Sequence, residues 1–112
     1  MIAAEMIDKL NTAVVACDPE FNVLYANPKC KEVFKALLNV EDFVGRNMAE
    51  CHKPETMDKL KKLIQEYKAH KRKLDYYTMD GPEGKLTIVN VPFYEGDTLA
   101  GVVEFIFESS LA

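Results

Sequence analysis

Met48, Cys51, His52 and Met57 gather two thioethers, a thiol and an imidazole into one short stretch of chain. Each is a side chain able to hold haem iron along its axis. If the stretch is helical, Cys51 and His52 differ by about 100° around the helix, so only one of them points inward. Zinc is a poorer match, because Cys51, His52 and His70 lack the ligand spacing of tetrahedral sites. Nucleophilic catalysis is short of material: His52 and His70 are the only imidazoles, and no Gly-rich phosphate loop occurs. The paired carboxylates Glu41 and Asp42, or Glu83 and Glu95, fall in turns, where solvation accounts for acids better than general acid/base work does. No enzyme activity is expected.

The chain that must position these side chains has 112 residues, enough for one core but not two. With 48% hydrophobic and 29% charged residues it has the composition of a soluble globular domain. Lys and Arg number 14 against 18 Asp and Glu, a net charge of -4 that gives no attraction for phosphate backbones. Nucleic acid is therefore not an expected partner. Cys17, Cys30 and Cys51 form an odd set without paired spacing, which points to a reducing compartment and a cytoplasmic location. No apolar run reaches the length of about 20 residues that crosses a bilayer, and Met1 to Leu10 carries Glu5, Asp8 and Lys9, so this segment is expected to make no membrane contact. Its ends fit either a complete chain or a piece excised from a longer one.

Residues 1–11 read as a flanking helix, with Ile2, Met6 and Leu10 at i, i+4 and i+8, too short to stand without packing. Residues 12–112 read as the domain proper. Thr12 to Cys17 and Asn22 to Ala26 are strands joined by a turn at Asp18, Pro19 and Glu20. Asn27 before Pro28 is a helix start, capped by the asparagine, with Cys30, Val33 and Phe34 continuing at helical spacing. After an irregular stretch interrupted by Gly45, Pro54 opens an amphipathic helix ending near Lys71, with Met57, Leu60, Ile64 and Tyr67 on one face and lysines on the other. Three strands follow, Leu74 to Met79, Lys85 to Tyr94 and Leu99 to Glu108, separated by connections at Asp80 to Gly84 and at Glu95 to Asp97. In the last strand Val103, Phe105 and Phe107 share one face, and Val102, Glu104 and Ile106 share the other.

This order predicts an α+β fold, a five-stranded antiparallel sheet with several helices packed on one face. Val14 to Asp18 with Asn22 to Pro28, then Val44 to Asn47, then Leu99 to Phe105, together resemble the PAS family over Thr12 to Glu108. Cys51-His52-Lys53-Pro54-Glu55 further resembles a PAS subgroup of anaerobic prokaryotes that bears Cys-His-Pro-Pro here, departing from it at the third residue. The resemblance implies a sensory signalling domain with a ligand pocket between the sheet and the long helix, walled by Met57, Leu60, Ile64, Leu86, Ile88, Val103 and Phe105. A packed core without a cavity, in a domain that serves only for dimerisation, is the competing reading.

Haem held by His52 or Cys51 would make the domain a redox or gas sensor, although haem PAS proteins resemble one another in a histidine within the long helix, and Pro54 to Ala69 has none. Flavin photochemistry of the LOV type needs a cysteine close behind Gly-x-Asn. Here Met48 follows Gly45-Arg46-Asn47, and Cys51 comes about a turn later. Bound flavin without an adduct stays open, and no cofactor is the default for the isolated domain. A homodimer is expected through Ile2, Met6 and Leu10 and an outer sheet face assigned to Val102 and Ile106, whose apolar surface a monomer would leave exposed, and the resemblance implies pairing through the flanking helix; the same helix folded back over Val102 and Ile106 in a monomer is the competing reading.

Overall fold

The computed structural model describes residues 2–38, 43–50 and 52–110. In chain order the elements are α1 (Ala3–Asp8), β1 (Ala13–Cys17), β2 (Val23–Ala26), α2 (Pro28–Leu38), a 3-10 turn (Met48–Glu50), α3 (Pro54–Lys68), β3 (Asp75–Gly81), β4 (Gly84–Glu95) and β5 (Thr98–Phe107). The strands make one five-stranded sheet in the spatial order β2-β1-β5-β4-β3, every neighbouring pair antiparallel. The expected α+β fold is thus present. Among the described residues no helix is long and apolar enough to cross a membrane.

The core lies between α2, α3 and one sheet face. Met57, Leu63, Ile64 and Tyr67 of α3 are buried with Cys30 and Phe34 of α2, against Val15, Cys17, Ile88, Val102 and Ile106 of the sheet. Burying each large aliphatic side chain contributes about 1.5–3 kcal/mol, which is what keeps α3 helical in a chain whose N-cap, Lys53, makes no side-chain cap bond. At its other end Lys71 N donates to Glu66 O at 2.9 Å and His70 N to Tyr67 O at 3.1 Å, a Schellman closure. The left-handed residue it requires is His70, with φ of 56°. Histidine tolerates that region better than most side chains, and here its ring stacks on Tyr94 at 4.8 Å. The helix therefore stops three residues short of the Lys71 expected from charge patterning.

Asn27 caps α2 as its sequence position predicts, accepting from Cys30 N at 2.9 Å. The same Oδ1 accepts from Val14 N at 3.0 Å, while Nδ2 donates to Thr12 O at 2.9 Å and to Ile7 O at 3.1 Å. One fully buried amide thus joins α1, β1 and α2.

Two expectations need correction. The β4–β5 register pairs Ile88 with Ile106, Asn90 with Glu104 and Pro92 with Val102. Residues directly opposite share a face. Val102, Glu104 and Ile106 therefore point at the helices, and Val103, Phe105 and Phe107 stand on the outer face; Val102 and Ile106 are core residues, not an outer surface. Both faces of β5 are apolar enough to pass for the inner one, and a one-residue change of parity exchanges them. The Asp80 to Gly84 connection is also shorter than expected, because Asp80 pairs with Lys85 and Gly81 with Gly84, leaving only Pro82 and Glu83 in the turn. Gly84 has φ of 129°, a conformation that lets the strand resume at once.

Candidate functional site

Between α3 and the inner sheet face lies a cavity of about 10 Å³, room for roughly one water molecule. Helix α3 contributes Leu60, Leu63 and Ile64, β1 contributes Val15 and Cys17, and β5 contributes Val102. Phe21 and Met48 close the end nearest the β1–β2 turn. Phe21 reaches this position through φ of 70°, set by the turn in which Asp18 Oδ1 accepts from Glu20 N and Asn22 N. Two polar side chains remain, Asn90 of β4 and Glu104 of β5, and the antiparallel register sets them directly opposite each other.

Among the described residues Glu104 is the only charged one lining the cavity, and none of them gives it a hydrogen bond or an ion pair. Glu104 is half-buried, and the apolar wall around it disfavours the carboxylate, pushing the group up to about 7 from its ordinary 4.5. Its charge is felt by Cys17 on β1, Cys30 on α2 and Tyr77 on β3, each pushed up to about 12, primarily by burial. At neutral pH both thiols are protonated and therefore poor nucleophiles.

Asn90 is anchored from α3. The hydroxyl of the fully buried Tyr67 lies 3.0 Å from both the main-chain oxygen and Oδ1 of Asn90, donating to them. With Oδ1 engaged, the donor end of the amide is left for the cavity side. The Tyr94 hydroxyl in turn donates to Tyr67 O at 2.9 Å, so the end of α3 is tied to β4 by two phenols.

Of the pocket residues expected from the resemblance, Leu60 and Ile64 line this cavity. Met57 and Ile88 are core residues outside its lining, and Leu86 faces a separate, open cavity of about 280 Å³ beside α2. Val103 and Phe105 are on the opposite sheet face, for the reason of parity given above. Sequence reasoning missed Leu63, Asn90 and Glu104. The available signal was an isolated acid at an alternating position of an otherwise apolar strand, which reads as solvent-facing until the register is known.

His52 Nδ1 lies 2.8 Å from Met48 O, which puts the imidazole on the 3-10 turn and not among the residues lining the cavity. Cys51 lies outside the described residues, as does the Glu41 and Asp42 pair. A porphyrin or an isoalloxazine ring does not fit a space that holds about one water. Among the described residues no group of three His, Cys, Asp or Glu side chains is placed to hold a metal ion. The Asn47 side chain of the Gly45-Arg46-Asn47 segment is engaged elsewhere, donating to Glu20 O at 2.8 Å and to Asn22 Oδ1 at 3.1 Å.

A neighbouring cavity of about 50 Å³, lined by Val23, Phe34 and Phe43 among others, shares Val15 and Met48 with the first. Arg46, Asn47 and Glu50 complete its lining, so this second space is partly polar and charged.

The family model described as PAS domain matches residues 11–109. No curated protein matches the sequence. Among solved structures, a C-terminal domain from Streptococcus mutans superposes with a TM-score of 0.76 at 18% identity, covering 94% of this chain and 81% of that one. The PAS domain of Bordetella pertussis BvgS gives 0.69 at 15%, covering 95% and 82%. A sensory box sensor histidine kinase from Vibrio cholerae gives 0.66 at 16%, covering 97% and 90%.

Proposed function

Because the chain belongs to the PAS domain family, we propose that it is a sensory, non-catalytic signalling domain that binds a small ligand between the sheet and α3 and reports occupancy through contacts between two copies. The observation that carries this reading is the cavity itself: a small, largely apolar space with two polar groups opposite each other, one of them an acid with a perturbed pKa. Support for a sensory role comes from the fold relatives, one described as a sensory box sensor histidine kinase. A non-catalytic role is supported by thiols held protonated and by a lining with, among the described residues, a single carboxyl. Two buried free thiols, Cys17 and Cys30, agree with a cytoplasmic location.

The dimer is assigned to α1 and the outer sheet face. Ile2, Met6 and Leu10 are exposed, and α1 buries none of its residues. It is held to its own domain by polar bonds, from Asn27 Nδ2 to Ile7 O and between the Tyr25 hydroxyl and Asp8 Oδ1. Val103, Phe105 and Phe107 supply an apolar outer face that a second copy covers symmetrically. Light scattering of the purified protein should report a dimer, and Met6→Asp with Leu10→Asp should convert it to a monomer. An unmodified protein that is monomeric at high concentration would end this part of the reading.

The tightness of the cavity favours a second reading, a ligand-free dimerisation module. Mass spectrometry after denaturation separates the two. A retained small molecule supports the sensor, and a dimer that carries none and gains no stability from any added compound supports the module.

A further inference from the structure

We propose that a second copy of this chain pairs along the open edge of β3, the two strands antiparallel about a two-fold axis at Thr78, in a contact separate from the one assigned to α1. β3 is the last strand of the sheet and bonds only to β4, so alternate N–H and C=O groups along it face outward. Sheets blunt such an edge with a bulge, a proline, a charge or a very short strand. The opposite edge, β2, is four residues long and its pairing with β1 has a register shift. β3 has no such guard from Tyr76 to Met79, and its register with β4 runs unshifted from Asp75 to Gly81.

Among the described residues nine large hydrophobic side chains are exposed, and four of them, Leu74, Tyr76, Tyr77 and Met79, lie on β3 or immediately before it. Tyr77 and Met79 stand opposite the buried Ile88 and Leu86, so the helices cover β4 and leave β3 open. With the axis at Thr78, Tyr77 of each copy faces Met79 of the other, an aromatic–thioether contact made twice, and Tyr76 faces Asp80. An axis at Tyr77 would instead set Asp75 against Met79 and Leu74 against Asp80.

Charge fixes the direction of pairing and the identity of the partner. Lys71 and Lys73 precede β3 and Glu83 follows it, and among the described residues none of the three has an ion pair. Antiparallel pairing brings the basic entry of one strand beside the acidic exit of the other, at both ends of the contact. Parallel pairing would set lysine against lysine and glutamate against glutamate. The pattern that complements this edge is therefore the edge itself. A seven-residue ladder with no helix laid over it is weak in isolation, with a Kd on the order of 1 mM, so removal of the α1 contact still leaves a monomer in dilute solution. Where α1 already pairs two copies, the β3 edges join dimers to one another.

The test uses the whole 112-residue protein carrying Met6→Asp and Leu10→Asp, so that association through β3 is read apart from association through α1. Amide resonances and translational diffusion are followed by NMR from about 0.05 to about 2 mM. Shifts should grow with concentration over Asp75–Gly81 and leave Val23–Ala26 of the opposite edge unmoved. Lys73→Glu or Glu83→Lys should each weaken association about fivefold, because each pair occurs twice across the axis, and the two together should restore it to within about twofold. Resonances unchanged through the whole range, association that neither single swap alters, or a double swap no better than the singles would overturn the edge contact. None of these outcomes bears on the α1 dimer, which is read from the unmodified protein by light scattering.

Discussion

The side-chain Nδ2 of Asn27 lies 3.1 Å from the main-chain oxygen of Ile7, so the residue that starts α2 also holds the end of α1. Its amide makes four bonds in all, accepting two and donating two, with no exposed surface. In Asn27→Ala the buried Val14 and Cys30 amides lose their acceptor as the helix loses its cap, and a stability loss of about 3 kcal/mol is expected in urea unfolding. Asn27→Asp keeps the two accepted bonds and loses the two donated ones. Hydrogen exchange should then quicken over Ala3–Asp8 ahead of the sheet. Uniform exchange across both regions would show that α1 is not held by this amide.

Glu104 makes stability depend on pH in the direction opposite to a salt-bridged carboxylate. Its folded-state pKa of about 7 exceeds the ordinary 4.5, so between these values the folded protein holds more protons than the unfolded one. Stability should fall as pH rises across that window and level off above it, by about 3 kcal/mol in total. Glu104→Gln should remove this slope and be the more stable protein at pH 8. Parallel pH profiles for the two proteins would refute the assignment.

Gly101→Ala tests the closeness of β1 and β5. A Cβ there would sit 2.2 Å from Cys17 O and 2.7 Å from the Phe93 ring. The ring can be cut away, but the carbonyl belongs to the ladder and cannot move without breaking it. A loss of about 3 kcal/mol or more is expected, and Phe93→Ala in the same chain should not restore it. Full rescue by the second change would place the strain on the ring alone.

Tyr67→Phe removes a hydroxyl from a fully buried ring and leaves Asn90 Oδ1 without its donor. Thermal unfolding should show a loss of about 1–3 kcal/mol. Tyr94→Phe, which removes a part-buried bond to Tyr67 O, should cost less, because water can reach the acceptor it leaves. Equal losses would mean that burial does not set the difference.

Local patterns along the chain are enough to place the elements and their order. Alternation in β1 and β5, the 3.6-residue stripe of Met57, Leu60, Ile64 and Tyr67, and Asn27-Pro28 at a helix start are local signals, written by neighbouring residues. The order of elements then left few ways to close a sheet, and five antiparallel strands followed. Leu60 and Ile64 could be placed in the cavity wall because a helix has one apolar face.

Which face of β5 lies inside is settled by long-range pairing. Val103 and Phe105 are as apolar as Val102 and Ile106, so strand composition gives no preference, and parity is set by pairing with β1 and β4 far away in sequence. The candidate site turns on that parity. It carries Glu104 from an apparent solvent position into an apolar cavity opposite Asn90, where desolvation changes its chemistry. A carboxyl's pKa and partners depend on what surrounds it in space, and those neighbours come from β1, β4 and α3, which no local pattern around residue 104 records.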